Sequence, residues 1–239
     1  MQQTMSRLRK AIDDYNMIEK GQKVAVAISG GKDSALLLAA LKNLSRFHPA
    51  QFDVCAVFVD LGFGNIDIDG IKKMCKNLEV PLNIKHTEIG KIIFEYRQES
   101  NPCALCAKMR RGVIHDAALE MGAKTIALGH HMDDVIETFL MNLTFESRIS
   151  CFQPVTYLSR KDVTVIRPMI YLSEREIKGA VNRLSIPTYK NPCPADGVTK
   201  REDVKQIIKV LSEQNPSIKK SIFNAIQRSG IDAWGIKEN

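Results

Sequence analysis

No run of apolar residues in this chain approaches the ~20 that a helical membrane span requires, so no membrane partner is expected. The opening stretch, MQQTMSRLRKAIDDYNMIEKG, lacks the apolar core of a secretory signal, and the expected location is cytoplasmic. Aromatic residues make up only 6% of the 239 positions, and repeats, low-complexity tracts and composition shifts that would mark a linker are absent. The chain reads as one domain over 1–239, opening with a helix within 1–20 and closing with a helical extension over 195–239. A hydrophobic content of 44% suffices for one sizeable core. There is no long basic tail. The net charge of +7 comes from dispersed Lys and Arg, with short clusters at 108–111, 200–201 and 219–220. That balance suits a polyanionic partner such as RNA, or serves solubility alone. In a cytosolic setting the six cysteines are expected as thiols or metal ligands, not disulfides.

What is present is an alternation of strands and helices. KVAVAIS and FDVCAVFVD are apolar, Val-rich runs that read as buried parallel strands, and PLNIKHTEI, KTIALGH and VTVIRPM supply three more. Between them lie DSALLLAALKNL, IDGIKKMCKNL, MRRGVIHDAALEMG and DDVIETFLMNL with helical spacing. SEREIKGAVNRL opens on a capping box, Ser173 with Glu176. Two further helices are expected over 201–212 and 216–228. The pattern predicts an α/β fold: an open, mostly parallel five-stranded sheet with helices on both faces, plus the C-terminal helices.

Such a sheet binds ligands at the carboxyl ends of its strands. The first strand runs through SGGKDS, Ser29 to Ser34, directly into a helix. Gly30 and Gly31 allow backbone N–H groups to approach an anion, Ser29 and Ser34 add hydroxyls, and the helix N-terminus adds positive potential. Lys32 is followed by Asp33, so the string is not a Walker A loop, nor is it a dinucleotide loop. An ordinary glycine-rich turn is the plain alternative. LGHHMDD, 128–134, ends a later strand and brings Asp133 and Asp134 to the same edge. Either aspartate is suited to positioning Mg²⁺ or taking a proton, and either is equally suited to capping a helix. His130 and His131 are weaker candidates, one for packing and one for touching a nucleotide. Cys103 and Cys106 form a C-x-x-C in NPCALCAKMRRG, which fits a redox pair, half a zinc site or part of an iron–sulfur site. Cys55 and Cys75 read as core thiols.

SGGKDS, FVDLG and GHHMDD in this order resemble the PP-loop ATP pyrophosphatases, which have the adenine nucleotide alpha-hydrolase-like fold, cleave ATP between its α- and β-phosphates and adenylate a carbonyl oxygen. CALCAKMRRG, VIRPM and NPCP…KR narrow the likeness to the branch that makes 2-thiocytidine in tRNA with an iron–sulfur cluster. A second C-x-x-C, which thiouridine-forming relatives with zinc ribbons carry, is absent. The resemblance spans about 20–205. It implies ATP, Mg²⁺ and a [4Fe-4S] cluster as cofactors, tRNA as substrate, and hydrosulfide or a cysteine desulfurase as sulfur donor; a homodimer is compatible with it.

By that likeness Cys103, Cys106 and Cys193 are the cluster ligands, with Cys151 the rival to Cys193. Zinc completed by His115 or His130, and a persulfide pair of Cys106 and Cys193, remain alternatives. ATP is assigned to Ser29, Gly30, Gly31, Lys32, Asp33, Ser34, Asp60, Gly129 and Arg167. Asp133, Asp134 and Arg110 are the candidates for catalysis, with Arg111 beside them facing either phosphate or RNA. Two rival functions stand: the same ATP chemistry on a small-molecule acceptor, and a non-catalytic nucleotide-binding module.

Overall fold

In KVAVAI the branched residues alternate with alanine, and the two sets bury on opposite faces of one strand. Val24, Val26 and Ile28 join one core cluster, while Ala25 joins another. The next strand repeats the alternation, with Val54, Ala56 and Phe58 on the first face and Cys55, Val57 and Val59 on the second. A strand apolar on both faces needs helices above and below it. The computed structural model describes residues 2–64, 66–97, 102–189, 193 and 200–236.

Helix α1 (Gln2–Asp14) is followed by β1 (Lys23–Ile28), α2 (Lys32–Ser45), β2 (Asp53–Asp60), α3 (Ile68–Asn77) and β3 (Leu82–His86). A short α4 (Ile89–Lys91) continues as a π-helical turn, Ile92–Arg97. Then come α5 (Pro102–Glu120), β4 (Thr125–Ala127), α6 (Met132–Phe145), β5 (Val155–Leu158) and β6 (Val163–Ile166). The chain closes with α7 (Glu174–Arg183), α8 (Lys200–Gln214), α9 (Ile218–Ser229) and a 3₁₀ turn, Ile231–Ala233. None of the helices among the described residues is long and apolar enough to cross a membrane.

The sheet has six strands in the order β3-β2-β1-β4-β6-β5, not the five expected. The added strand is β5, which pairs antiparallel with β6 across a short turn where Asp162 takes φ 50°. It forms an edge with Tyr157 exposed and only Val155 and Leu158 packed partly on the cores, so it carries little of the apolar signal that marks the buried strands. All other pairings are parallel. From β1 the chain winds outward through β2 to β3, then returns to place β4 and β6 on the other side. The switch point between β1 and β4 is where such sheets open a crevice.

The helix carrying the C-x-x-C also differs from expectation. It starts at Pro102, not near Met109, so both cysteines lie inside its first turns. Proline suits a first helical position because the N–H it lacks would have had no partner there.

The C-terminal helices complete the larger core. Val204, Ile208, Phe223 and Ile226 are buried in it. Trp234 is fully buried, donates its indole N–H to the Phe152 carbonyl (2.9 Å), and meets Tyr15 and Phe223 edge-on. Truncation there leaves a large cavity and an unpaired carbonyl. Trp234→Ala is expected to lose about 3–5 kcal/mol of stability in chemical denaturation.

Candidate active site

Gly129 follows β4, and the N-terminus of α2 crosses immediately beside it. A Cβ at Gly129 would lie 3.2 Å from the Ser34 nitrogen and 3.3 Å from the Asp33 carbonyl carbon. The missing side chain lets the loops after β1 and β4 close onto each other at the switch point. Between them opens a cleft of about 720 Å³, within the range of cofactor sites.

The loop after β1 holds its own shape. Ser34 Oγ donates to the Gly31 carbonyl (3.1 Å) and accepts from the Ser29 N–H (3.1 Å). Gly30 takes φ 85°, a left-handed conformation open to glycine, and its carbonyl accepts from the Tyr189 N–H (2.8 Å). Gly31 is the N-cap of α2 and supplies no side chain to cap it. The first N–H groups of the helix are therefore available to an anion.

Ser29, Asp33, Ser34 and Gly129 line the cleft, as do Asp60, Arg110, Asp134 and Arg167. Gly30, Gly31, Lys32 and Asp133 are not on its wall. Asp33 Oδ1 is buried with no hydrogen-bond partner among the described residues. The His131 ring approaches this oxygen, with Nε2 at 3.9 Å, and a carboxylate oxygen without a hydrogen bond is of the kind that takes a hard cation such as Mg²⁺. Lys32 turns to Asp33 (3.1 Å) and Glu174 (3.2 Å). Burial works to lower its pKa, but the two carboxylates outweigh burial and hold it above the ordinary value. Asp60 accepts from the Gly62 N–H (2.9 Å) and pairs with His86 (3.1 Å).

The adjacent aspartates part company. Asp133 is buried, accepts from the Glu174 N–H at the start of α7 (2.7 Å) and pairs with Lys219 of α9 (2.6 Å). It ties three helices together. Asp134 accepts from the His131 N–H (3.0 Å) and faces Arg201 of α8 (2.8 Å) in the cleft. Arg201 also approaches Glu137 (3.5 Å), a buried carboxyl whose pKa burial pushes up to about 7. Arg201 sat in a basic pair that the sequence assigned to RNA or solvent, and nothing in its spacing marks it as a cleft residue. Phe152 and Thr138 line the cleft too. Phe152 lies in an irregular connection, outside any periodic pattern.

At that end of the cleft His130 packs on Phe152 (centroids 4.9 Å apart), and the Arg167 guanidinium lies 5.0 Å from the same ring. Burial, with Arg167 nearby, pulls His130 down to about 4, so the ring is neutral near pH 7. Burial also lowers Arg167 to about 10, which leaves it charged.

Helix α5 lies along the opposite side. Cys103, Cys106, Ala107 and Arg110 are spaced three, four and seven apart and share one face. They line a second cavity of about 170 Å³ together with Cys193. The remainder of the Cys193 loop, 190–192 and 194–199, lies outside the described residues. Leu61, Ala107 and Arg110 belong to the walls of both cavities. Burial raises the Cys106 thiol, Arg110 lowers it, and Cys193 and Cys103 raise it again. Cys55, Cys75 and Cys151 are buried elsewhere, with burial holding Cys55 and Cys75 near 11 and Cys151 near 12. Among the described residues no three His, Cys, Asp or Glu side chains converge as ligands of a metal ion. Cys103, Cys106 and Cys193 are the described cysteines that border this cavity, and thiolates are the donors that iron–sulfur clusters take, although the three do not converge on one point here.

A family model described as a PP-loop domain matches residues 1–211. The chain is 36% identical over 220 residues to the tRNA-cytidine(32) 2-sulfurtransferase of Geobacter metallireducens, covering 91% of this chain and 86% of that protein. It is 35% identical over 224 residues to the protein of the same name from Geotalea uraniireducens, covering 92% and 89%. Among solved structures it matches the U34-tRNA thiolase NcsA from Methanococcus maripaludis with its [4Fe-4S] cluster, at TM-score 0.75 and 26% identity, covering 94% of this chain and 77% of that one. An NH3-dependent NAD synthetase from Campylobacter jejuni matches at TM-score 0.53 and 14% identity, a likeness of fold alone.

Two stability measurements check this geometry. Asp133→Ala removes the acceptor of the Glu174 N–H in the first turn of α7, leaving the Ser173 cap in place, and strands Lys219, which is half exposed and can return to water; a loss of about 2 kcal/mol is expected. Glu137 binds its proton more tightly folded than unfolded. Its contribution is therefore full below pH 4.5 and lost as pH rises through about 7. In urea titrations Glu137→Gln should lack the decline in stability that the wild type shows over that window.

Proposed function

The chain belongs to the PP-loop domain family, and from that premise we propose that it is an ATP-dependent tRNA sulfurtransferase acting on C2 of a cytidine. By analogy with the relatives named for it, cytidine 32 is the target. The observation that carries the reading is the pair of adjoining cavities: a phosphate cleft and a cysteine cavity share Leu61, Ala107 and Arg110. Activation of a base and delivery of sulfur to it need that adjacency.

A carbonyl oxygen is a poor leaving group. In the proposed reaction O2 of the cytosine attacks the α-phosphorus of ATP, the α–β bond breaks, and pyrophosphate leaves. Sulfur then adds at C2, and AMP departs with the original oxygen. We assign the pyrophosphate to the hydroxyls of Ser29 and Ser34 on the cleft wall and to the first N–H groups at the uncapped N-terminus of α2, with Gly30 and Gly31 shaping the turn behind them. Asp60 and Gly129 flank the adenosine. Asp33, with its unpartnered oxygen, and Asp134, on the cleft wall, are the residues suited to Mg²⁺, which would neutralise the phosphates. Asp133 serves by holding α6, α7 and α9 in place. Lys32 pairs with Asp33 and Glu174 and so fixes the first turn of α2 against α7.

Cys103, Cys106 and Cys193 would hold the [4Fe-4S] cluster, which when bound would present sulfur at the oxidation level of hydrosulfide, taken up as hydrosulfide or released from a cysteine desulfurase's persulfide by a reducing thiol. Arg110, on both walls, is suited to stabilising negative charge that builds between the two cavities. The reading puts the protein in the cytoplasm with its tRNA.

The test is anaerobic purification with iron and sulfide analysis, followed by nucleoside mass spectrometry of tRNA. Cys193→Ser should lose the cluster absorbance and all 2-thiocytidine formation while ATP affinity stays within about twofold of wild type, since the phosphates use other residues. Asp33→Ala should keep the cluster and lose tRNA-dependent pyrophosphate release. Thiolation that survives Cys193→Ser, or that proceeds with zinc in place of iron, would refute the assignment.

A further inference from the structure

The large cleft has two chemically different ends. At the β2 end lie Phe58, Asp60 and Phe63, where the adenosine is assigned. At the other end His130, Phe152 and Arg167 form a group of stacked planar side chains drawn from three separate connections, after β4, before β5 and after β6. An ATP phosphate alone needs no such surface. A base taken out of an RNA loop does, because it must replace the stacking it loses with stacking on protein.

We propose that the His130–Phe152–Arg167 end of the cleft receives the extruded pyrimidine and that Arg167 reads it as cytosine. The inference rests on the thiolation reading and names the part of the site that takes the base. Arg167 is held in place from behind: Nη1 donates to the Gln153 carbonyl and, at 3.1 Å, to Thr156 Oγ1. Arg167 lines the cleft, while its Nε lies behind, closed off from solvent and without a hydrogen-bond partner among the described residues, so a base would reach it only as the guanidinium turns toward the stack. A buried donor left without a partner is costly. A guanidinium only donates. Cytosine presents acceptors at both O2 and N3, whereas uracil presents a donor at N3. A donor-only edge beside the stack therefore accepts cytosine and opposes uracil. Contact at N3 leaves O2 free to attack ATP. The neutral His130 adds a planar face without adding positive charge to the base site.

Three measurements on the holoprotein test this. With wild type, tRNA carrying 5-iodocytidine at the target position should crosslink under ultraviolet light to peptides containing His130 or Phe152. Phe152→Leu keeps volume and loses the planar face; it should raise the KM for tRNA about tenfold while the Kd for ATP changes less than about twofold, and Phe152→Tyr should restore it. Arg167→Lys keeps the charge and loses the planar fork. It should erode the preference for cytidine- over uridine-containing tRNA about ten- to a hundredfold in pyrophosphate release. A crosslink to peptides around Asp60, unchanged base preference in Arg167→Lys, or a parallel loss of ATP affinity in Phe152→Leu would overturn the proposal. Wild type that releases no pyrophosphate with any tRNA would instead overturn the thiolation reading and this inference with it; activity without these effects overturns the base site alone.

Discussion

The close approach of Gly129 to the first turn of α2 is the constraint on which the site depends. Parallel pairing of β1 with both β2 and β4 puts two loops at the same sheet edge. A Cβ at Gly129 would crowd the Ser34 nitrogen at 3.2 Å, and its absence lets the two loops close together. One loop then presents the uncapped N–H groups of α2, and the other presents Asp134 at the start of α6. Helix N-termini from both sides of the switch point thus face one cleft. Their partial positive charge suits phosphates, and the carboxylates placed among them suit the cation that phosphates bring.

Helix α5 supplies the second half of the site through its period. A C-x-x-C in extended chain would send its thiols to opposite faces. In a helix, residues three and four apart lie side by side, so Cys103, Cys106, Ala107 and Arg110 share a face. That face meets Cys193 in one cavity, and Arg110 reaches from it to the wall of the nucleotide cleft. Starting the helix at Pro102, instead of after the cysteines, is what makes one surface of the whole motif.

The C-terminal helices join the chemistry to the core. Lys219 of α9 neutralises Asp133, and Arg201 of α8 meets Asp134 and Glu137. Buried carboxylates are costly without such partners. Tyr189, just before the Cys193 loop, donates to the Gly30 carbonyl (2.8 Å), and Arg201, shortly after it, reaches Asp134 (2.8 Å). The third cysteine is therefore carried between two anchors on the nucleotide cleft.

Much of this was legible in the chain itself. Strand–helix alternation decided an α/β sheet, because a run apolar on both faces has no other stable setting. SGGKDS marked the strand–helix junction at which α2 starts without a side-chain cap, since local backbone geometry is enough to make such a turn. The edge strand β5 was not legible, because a half-exposed hairpin carries little apolar signal. Neither was the division between Asp133 and Asp134: neighbours on a helix are about 100° apart, and which one faces the cleft depends on how α6 sits against α7 and α9. Arg201 and Phe152 reach the site across long sequence distances, through packing that no local pattern encodes. The sequence by itself determined the fold class, the uncapped turn after the first strand and the presence of the cysteines. The tertiary structure decided which charges face the cleft, because only packing between distant helices orients a side chain.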